Sequence, residues 1–207
     1  MIGTTSVRAV GWLVSPMLAS RFPRLNAAAW NAQYKLGVWN PKHFAAGAQI
    51  LNLVEEFTPN ATILDLGCGT SATLPLAPEN YRHYHGVDIS AAAIERARAL
   101  GRSDTSFEAA DILTYEPAGQ YEAILLREVL CYFTANQAAE LLRRMAGFLR
   151  PGGKLYVQLW QGARSPFTTP SQFLDVVRNC GLVVVAERAM EGSNGSDAVA
   201  FLVLGPS

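Results

Sequence analysis

From residue 62 onward, short apolar runs alternate with amphipathic stretches along this 207-residue chain. That alternation predicts a parallel sheet with helices packed on it. Thr62–Leu66 reads as the first strand, followed by a helix near Ser71–Ala77 that Pro78 ends. His83–Asp88 is the second strand, and Ser90 caps a helix over Ala91–Leu100, which Gly101 stops. Thr105–Ala109 and Tyr121–Leu126 follow as strands, and the unbroken apolar centre of the latter suits a middle position. Thr134 opens a long helix with Leu141, Leu142, Met145 and Leu149 on one face. Arg150-Pro151-Gly152-Gly153-Lys154 then turns the chain into a fifth strand, Leu155–Trp160. A helix near Ser171–Asn179 precedes strands near Leu182–Arg188 and Val199–Leu204, and the polar, glycine-rich 191–197 between them reads as a hairpin loop. The expected fold is α/β: a doubly wound, seven-stranded sheet of five parallel strands closed by a C-terminal antiparallel hairpin.

No repeat, low-complexity tract or linker divides the chain, so one domain over 61–207 is expected, with residues 1–60 as a helical extension. Half the residues are hydrophobic, 16% are charged and the formal net charge is zero, which argues against a nucleic-acid partner. The charge is uneven. No Asp or Glu precedes Glu55, whereas Arg8, Arg21, Arg24, Lys35 and Lys42 all do. Such a leader can dock on an acidic body, meet an anionic substrate or lie near a membrane surface, and docking on the body is the plainest of the three. The apolar run 10–19 is broken by Pro16 and too short to span a bilayer, so it reads as a leader helix or arm. Cys68, Cys131 and Cys180 show neither disulfide nor zinc spacing, which implies reduced thiols, a cytoplasmic setting and no metal.

The chemistry concentrates at Ile63-Leu64-Asp65-Leu66-Gly67-Cys68-Gly69-Thr70 and at Asp88, about one βα unit downstream. A strand, a glycine turn and a second strand tipped with a carboxylate make a nucleotide half-site: glycines admit the ligand's backbone contacts, and the acid takes ribose hydroxyls. Gly67-Cys68-Gly69-Thr70-Ser71-Ala72 also fits the dinucleotide pattern G-x-G-x-x-G/A. Asp65 beside that turn would repel a pyrophosphate, and the chain has no Tyr-x-x-x-Lys pair. The hh-D-x-G-x-G pattern instead resembles the class I S-adenosylmethionine (SAM)-dependent methyltransferases, over about residues 61–205. SAM is cationic at its ammonium and sulfonium, which an acid such as Asp65 favours.

That resemblance implies a Rossmann-like SAM-binding domain over 61–207 and a small-molecule methyl acceptor. It sets the methionine part of SAM against Asp65, Gly67, Cys68 and Gly69. Asp88 takes the ribose, and Ile89 packs on the adenine. Asp111 meets the adenine amino group, with the Ile112 backbone facing the ring. Leu125–Phe133 matches the fourth motif in outline, which brings the backbone of Leu126 and Arg127 to the SAM ammonium; Glu128 reads as a residue that orders the loop. Many relatives carry a histidine where this chain has Tyr132. Tyr132, His43 and Arg127 are the candidates at the reacting centre. Segment 30–40, with Tyr34 and Trp39, resembles a lid over SAM, or alternatively an amphipathic helix packed into the core. His83 and His85 read as structural. A SAM-dependent transfer to oxygen or nitrogen of a glycan precursor, amino sugar or secondary metabolite follows. A non-catalytic subunit of the same fold and an NAD-dependent oxidoreductase are the alternatives.

Overall fold

The computed structural model describes residues 22–37, 47–71, 78–159, 167, 169–191 and 198–206. Residues 72–77 of the expected helix and 192–197 of the expected hairpin loop lie outside these residues, as do Trp39, His43 and Trp160. Two helices, α1 (Pro23–Lys35) and α2 (Gly47–Phe57), precede β1 (Ala61–Leu66). β2 (Tyr81–Asp88), α3 (Ala91–Arg98), β3 (Thr105–Ala109), β4 (Tyr121–Arg127) and α4 (Ala135–Ala146) follow. The chain ends with β5 (Leu149–Leu159), α5 (Pro170–Asn179), β6 (Leu182–Glu191) and β7 (Ala198–Pro206).

The seven strands form one sheet in the order β3-β2-β1-β4-β5-β7-β6. β1 to β5 pair in parallel, and β7 runs antiparallel between β5 and β6. The hairpin thus folds back, its second strand inserted beside β5. Strand order reverses between β1 and β4, and a sheet of this kind opens its ligand crevice at the carboxyl ends there.

Alternation along the strands gives the sheet two buried faces. Leu64, Leu66, Ile124, Leu126 and Val157 pack with Leu141, Leu142 and Met145 of α4 and with Phe173 and Val177 of α5. Ile63, Ala123, Leu125 and Tyr156 pack with Ile50, Leu53 and Val54 of α2 and with Ile94 and Ala97 of α3. Helix α2 therefore shares its apolar cluster with the sheet.

Local chemistry sets the helix starts. Ser90 accepts the Ala93 N–H at 3.2 Å, and Thr134 with Gln137 forms a reciprocal capping box at the start of α4. Two elements depart from the pattern. Helix α3 ends at Arg98, two residues short of Leu100. Leu149 lies on no helix face; it opens β5, paired with Tyr121, and is buried there. The segment taken for a turn, residues 150–154, lies inside β5 as a register shift between Tyr121 and Ala123. Gly153 is needed in it, since an added Cβ would stand 2.9–3.0 Å from the carbonyl oxygens of Tyr121, Arg150 and Glu122.

Candidate active site

The turn after β1 is tied to β2. The N–H groups of Gly67 and Cys68 donate to the Val87 carbonyl at 2.7 and 3.0 Å. Gly67 and Gly69 have left-handed backbones, with φ of 77° and 56°. Each also admits a neighbour: a Cβ on Gly67 would stand 2.6 Å from Val129 Cγ2, and one on Gly69 would stand 2.7 Å from the Tyr34 hydroxyl. The turn is therefore roofed by Val129 from beyond β4 and by Tyr34 from α1. The Cys68 side chain turns into the sheet against Gly86, where burial pushes its thiol pKa up.

Asp88 ends β2 beside this turn. Its Oδ2 accepts the Gly69 N–H at 2.9 Å and its Oδ1 the Ser90 N–H at 2.8 Å. Burial pushes its pKa up to about 6, against the pull of these two backbone donors. A carboxylate has about four acceptor positions, so two remain for a ligand.

Asp65 is fully buried, and here the charge argument from the sequence needs correction. Arg127, at the end of β4, donates to Asp65 Oδ2 from Nε at 3.1 Å and from Nη2 at 2.7 Å; the Tyr84 hydroxyl donates to the same oxygen at 2.6 Å. The charge expected to attract cationic SAM is thus already balanced within the protein. Asp65 Oδ1 is buried with no hydrogen-bond partner among the described residues.

Asp111 forms a turn: its Oδ1 accepts the Leu113 N–H at 3.0 Å, and its carbonyl accepts from Thr114 and Tyr115. Ile112 is buried, with its carbonyl held by Arg144 Nη2 at 2.6 Å. Ile89 is half-buried, and Leu126 lies wholly in the core, so its side chain meets no ligand. Tyr132 stands on a 3₁₀ turn, Leu130–Tyr132, edge-on to Trp30 at 5.0 Å between ring centroids. Its hydroxyl pKa is raised by burial first, then by Cys131, Tyr34, Glu128 and Asp88, which brings these groups into one neighbourhood.

Helix α1 is held over the site by a side chain that sequence reasoning passed over. Asn31 Oδ1 accepts both the Ala92 N–H and the Ser90 hydroxyl at 2.9 Å, capping α3 from outside. Gln158 was also missed; a glutamine inside the apolar run Leu155–Leu159 was the available signal. His83 and His85, expected to be structural, both meet the Ser106 hydroxyl, at 2.8 and 2.7 Å, and His85 also meets Tyr115 at 3.0 Å. No cluster able to hold a metal ion occurs among the described residues, and no helix there is long and apolar enough to cross a membrane.

The sheet order, the glycine turn and the carboxylate at the end of β2 define a class, and residues 63–153 match the family described as methyltransferase domain. Over those residues the chain is similar to the class I SAM-dependent methyltransferases. It is 33% identical over 112 residues to a probable thiol methyltransferase 2 of Arabidopsis thaliana, which covers 51% of this chain and 50% of that protein. It is 30% identical over 130 residues to a trans-aconitate 2-methyltransferase of Deinococcus radiodurans, which covers 58% and 49%. The chain thus spans about half the length of these curated relatives. Among solved structures, the N-methyltransferase NodS from Bradyrhizobium japonicum WM9 matches at 26% identity and TM-score 0.66, over 81% of this chain and 98% of that one. The same protein bound to S-adenosylhomocysteine shares the fold over 98% of this chain and 99% of that one, at 20% identity and TM-score 0.64.

The residues fit SAM. Gly67 and Gly69 carry no side chain of their own, Asp88 keeps two acceptor positions, and Asp65 Oδ1 is an orphaned acceptor beside a cationic guanidinium.

Proposed function

We propose that this chain binds SAM and transfers its methyl group to a nitrogen or oxygen of a small molecule. One observation carries the reading: Gly69 sits between Asp88, which accepts its N–H, and Tyr34, whose hydroxyl fills the space a Cβ would take. A ribose acid, a bare turn and an aromatic cover in contact suit a nucleoside that must be gripped and then closed off.

When bound, SAM supplies a methyl group already activated on a sulfonium. The chain's own residues then orient and exclude water, which are the main needs of an in-line displacement. Asp88 accepts the ribose hydroxyls. Asp65 Oδ1 offers an unused acceptor to the ammonium of the amino-acid end. Asp111 and Ile112 border the adenine. Tyr34 and Trp30, on the helix pinned by Asn31, cover the turn, with Tyr132 packed against them. On this reading the stretch ahead of α2 acts as a lid, α2 itself belonging to the core of the domain, with Tyr34 and Trp39 against the cofactor, and with Tyr132, His43 and Arg127 near the acceptor.

One of the relatives is a trans-aconitate 2-methyltransferase, and the acid-free first 54 residues leave room for an acceptor bearing phosphate or carboxylate. Calorimetry with SAM and S-adenosylhomocysteine tests the reading, and absence of binding by both at high micromolar concentration overturns it. An acceptor screen by the mass of one added methyl then identifies the substrate.

A further inference from the structure

Glu128 follows β4 directly, and its backbone is left-handed, with φ of 53°. A glutamate keeps that conformation only where its surroundings hold it, and such positions gather at functional sites. Three bonds hold it here. Its N–H donates to the Gln158 carbonyl at 2.9 Å, its carbonyl accepts from the Cys131 thiol at 3.0 Å, and its Oε1 accepts from Gln158 Nε2 at 2.8 Å.

Gln158 is 2% exposed, paired in register with Arg127. A buried amide is costly unless both its ends are used. Its Nε2 is spent on Glu128, yet its Oε1 has no partner among the described residues. Gln158 takes one of the about four acceptor positions of the Glu128 carboxylate, which leaves others at the carboxyl end of the sheet. The carboxylate lies beside the turn, since Val129, the next residue, packs on Gly67. Arg127, Cys131, Tyr132, Tyr34 and Asp88 are the titratable groups around it.

Resting on the proposed methyl transfer, we propose that Glu128, positioned by Gln158, accepts a hydrogen bond from the attacking group of the acceptor, and that this acceptor is a primary amine. A neutral primary amine has two N–H donors and one lone pair. A carboxylate with one acceptor position used by Gln158 can take both hydrogens and leave the lone pair free to attack. A hydroxyl has one hydrogen, and a thiol is a weak donor. Burial raises the Glu128 pKa, while Arg127 and the Gln158 bond oppose the rise.

Sinefungin, a SAM analogue with an amine-bearing carbon in place of the methylsulfonium, probes this without an identified acceptor. Calorimetry on the full chain should show sinefungin binding at least about tenfold more tightly than S-adenosylhomocysteine. In Glu128→Gln that preference should fall below about twofold, with affinity for S-adenosylhomocysteine unchanged. Glu128→Gly, which suits the left-handed backbone, should lose the preference while keeping the melting temperature. Gln158→Leu should weaken the preference in part. An equal preference in wild type and Glu128→Gln overturns the proposal, as does a parallel loss of both ligands or no preference in wild type. Wild type that binds neither ligand overturns the SAM reading itself.

Discussion

Arg127 and Asp65 are joined side to side across neighbouring strands, with the guanidinium Nε and Nη2 at 3.1 and 2.7 Å from one carboxylate oxygen. That oxygen takes a third donor from Tyr84, and the other takes none. The two strands on either side of the reversal in strand order are thus bridged by an ion pair at the mouth of the crevice. Burial works against the charge on Arg127, but Asp65 and its neighbours outweigh burial and hold the guanidinium protonated.

Arg127→Leu should therefore destabilise the domain by about 3–5 kcal/mol, because it leaves a buried carboxylate unpaired. Asp65→Asn combined with Arg127→Leu should recover most of that loss, since no isolated charge remains. Urea unfolding of the three variants checks this. Equal cost in the single and double variants would show that the pair contributes through packing alone.

Asp88→Ala should weaken S-adenosylhomocysteine binding by on the order of 2–4 kcal/mol, the loss of two charge-assisted bonds to the ribose. The fold should survive. Two backbone N–H groups lose their acceptor, but the cost of an ionised carboxylate buried at that point also disappears. A change in affinity smaller than about tenfold would refute the ribose assignment.

The same residue sets a pH dependence. Its pKa lies near 6 in the folded chain, against 3.8 ordinarily, so acidification protonates Asp88 while most surface carboxylates stay ionised. Affinity for S-adenosylhomocysteine should hold from pH 8 to about 7 and fall as the pH drops through about 6. The sign for stability is opposite. A raised carboxyl pKa contributes stability below the unfolded value, which is lost as pH rises through 6, by roughly 3 kcal/mol. Calorimetric titrations and melting curves across this range, with Asp88→Ala as control, separate the two. Profiles that persist in the variant would assign the effect elsewhere.

Gly69→Ala should couple to Tyr34. The added Cβ would stand 2.7 Å from the hydroxyl, on a backbone at φ 56° that alanine disfavours. Tyr34→Phe removes only the clashing oxygen, so Gly69→Ala should cost about 1 kcal/mol less in that background. A double-mutant cycle by thermal unfolding measures the coupling. Strict additivity would mean that α1 does not rest on the turn in solution.

Much of the scaffold was legible along the chain because its signals are local. Apolar runs mark β1, β4 and β5, Ser90 and Thr134 cap helices through bonds three residues long, and a glycine turn needs glycine wherever it occurs. Leu149 and residues 150–154 were misread for the same reason. An apolar residue after a helix looks like its next turn until a neighbouring strand claims it, as Tyr121 does.

By itself, then, the sequence determined the parallel α/β class, the turn at Gly67–Gly69 and the carboxylate at Asp88, since each rests on the backbone preference or periodicity of adjacent residues. Only the tertiary structure decided what those groups meet. Arg127 lies 62 positions from Asp65 and neutralises it, Asn31 lies 61 positions from Ala92 and pins α1 over the turn, and Gln158 lies 30 positions from Glu128 and grips its carboxylate. Charge balance and burial depend on distance in space. Strand order sets that distance, and no local pattern of residues records it.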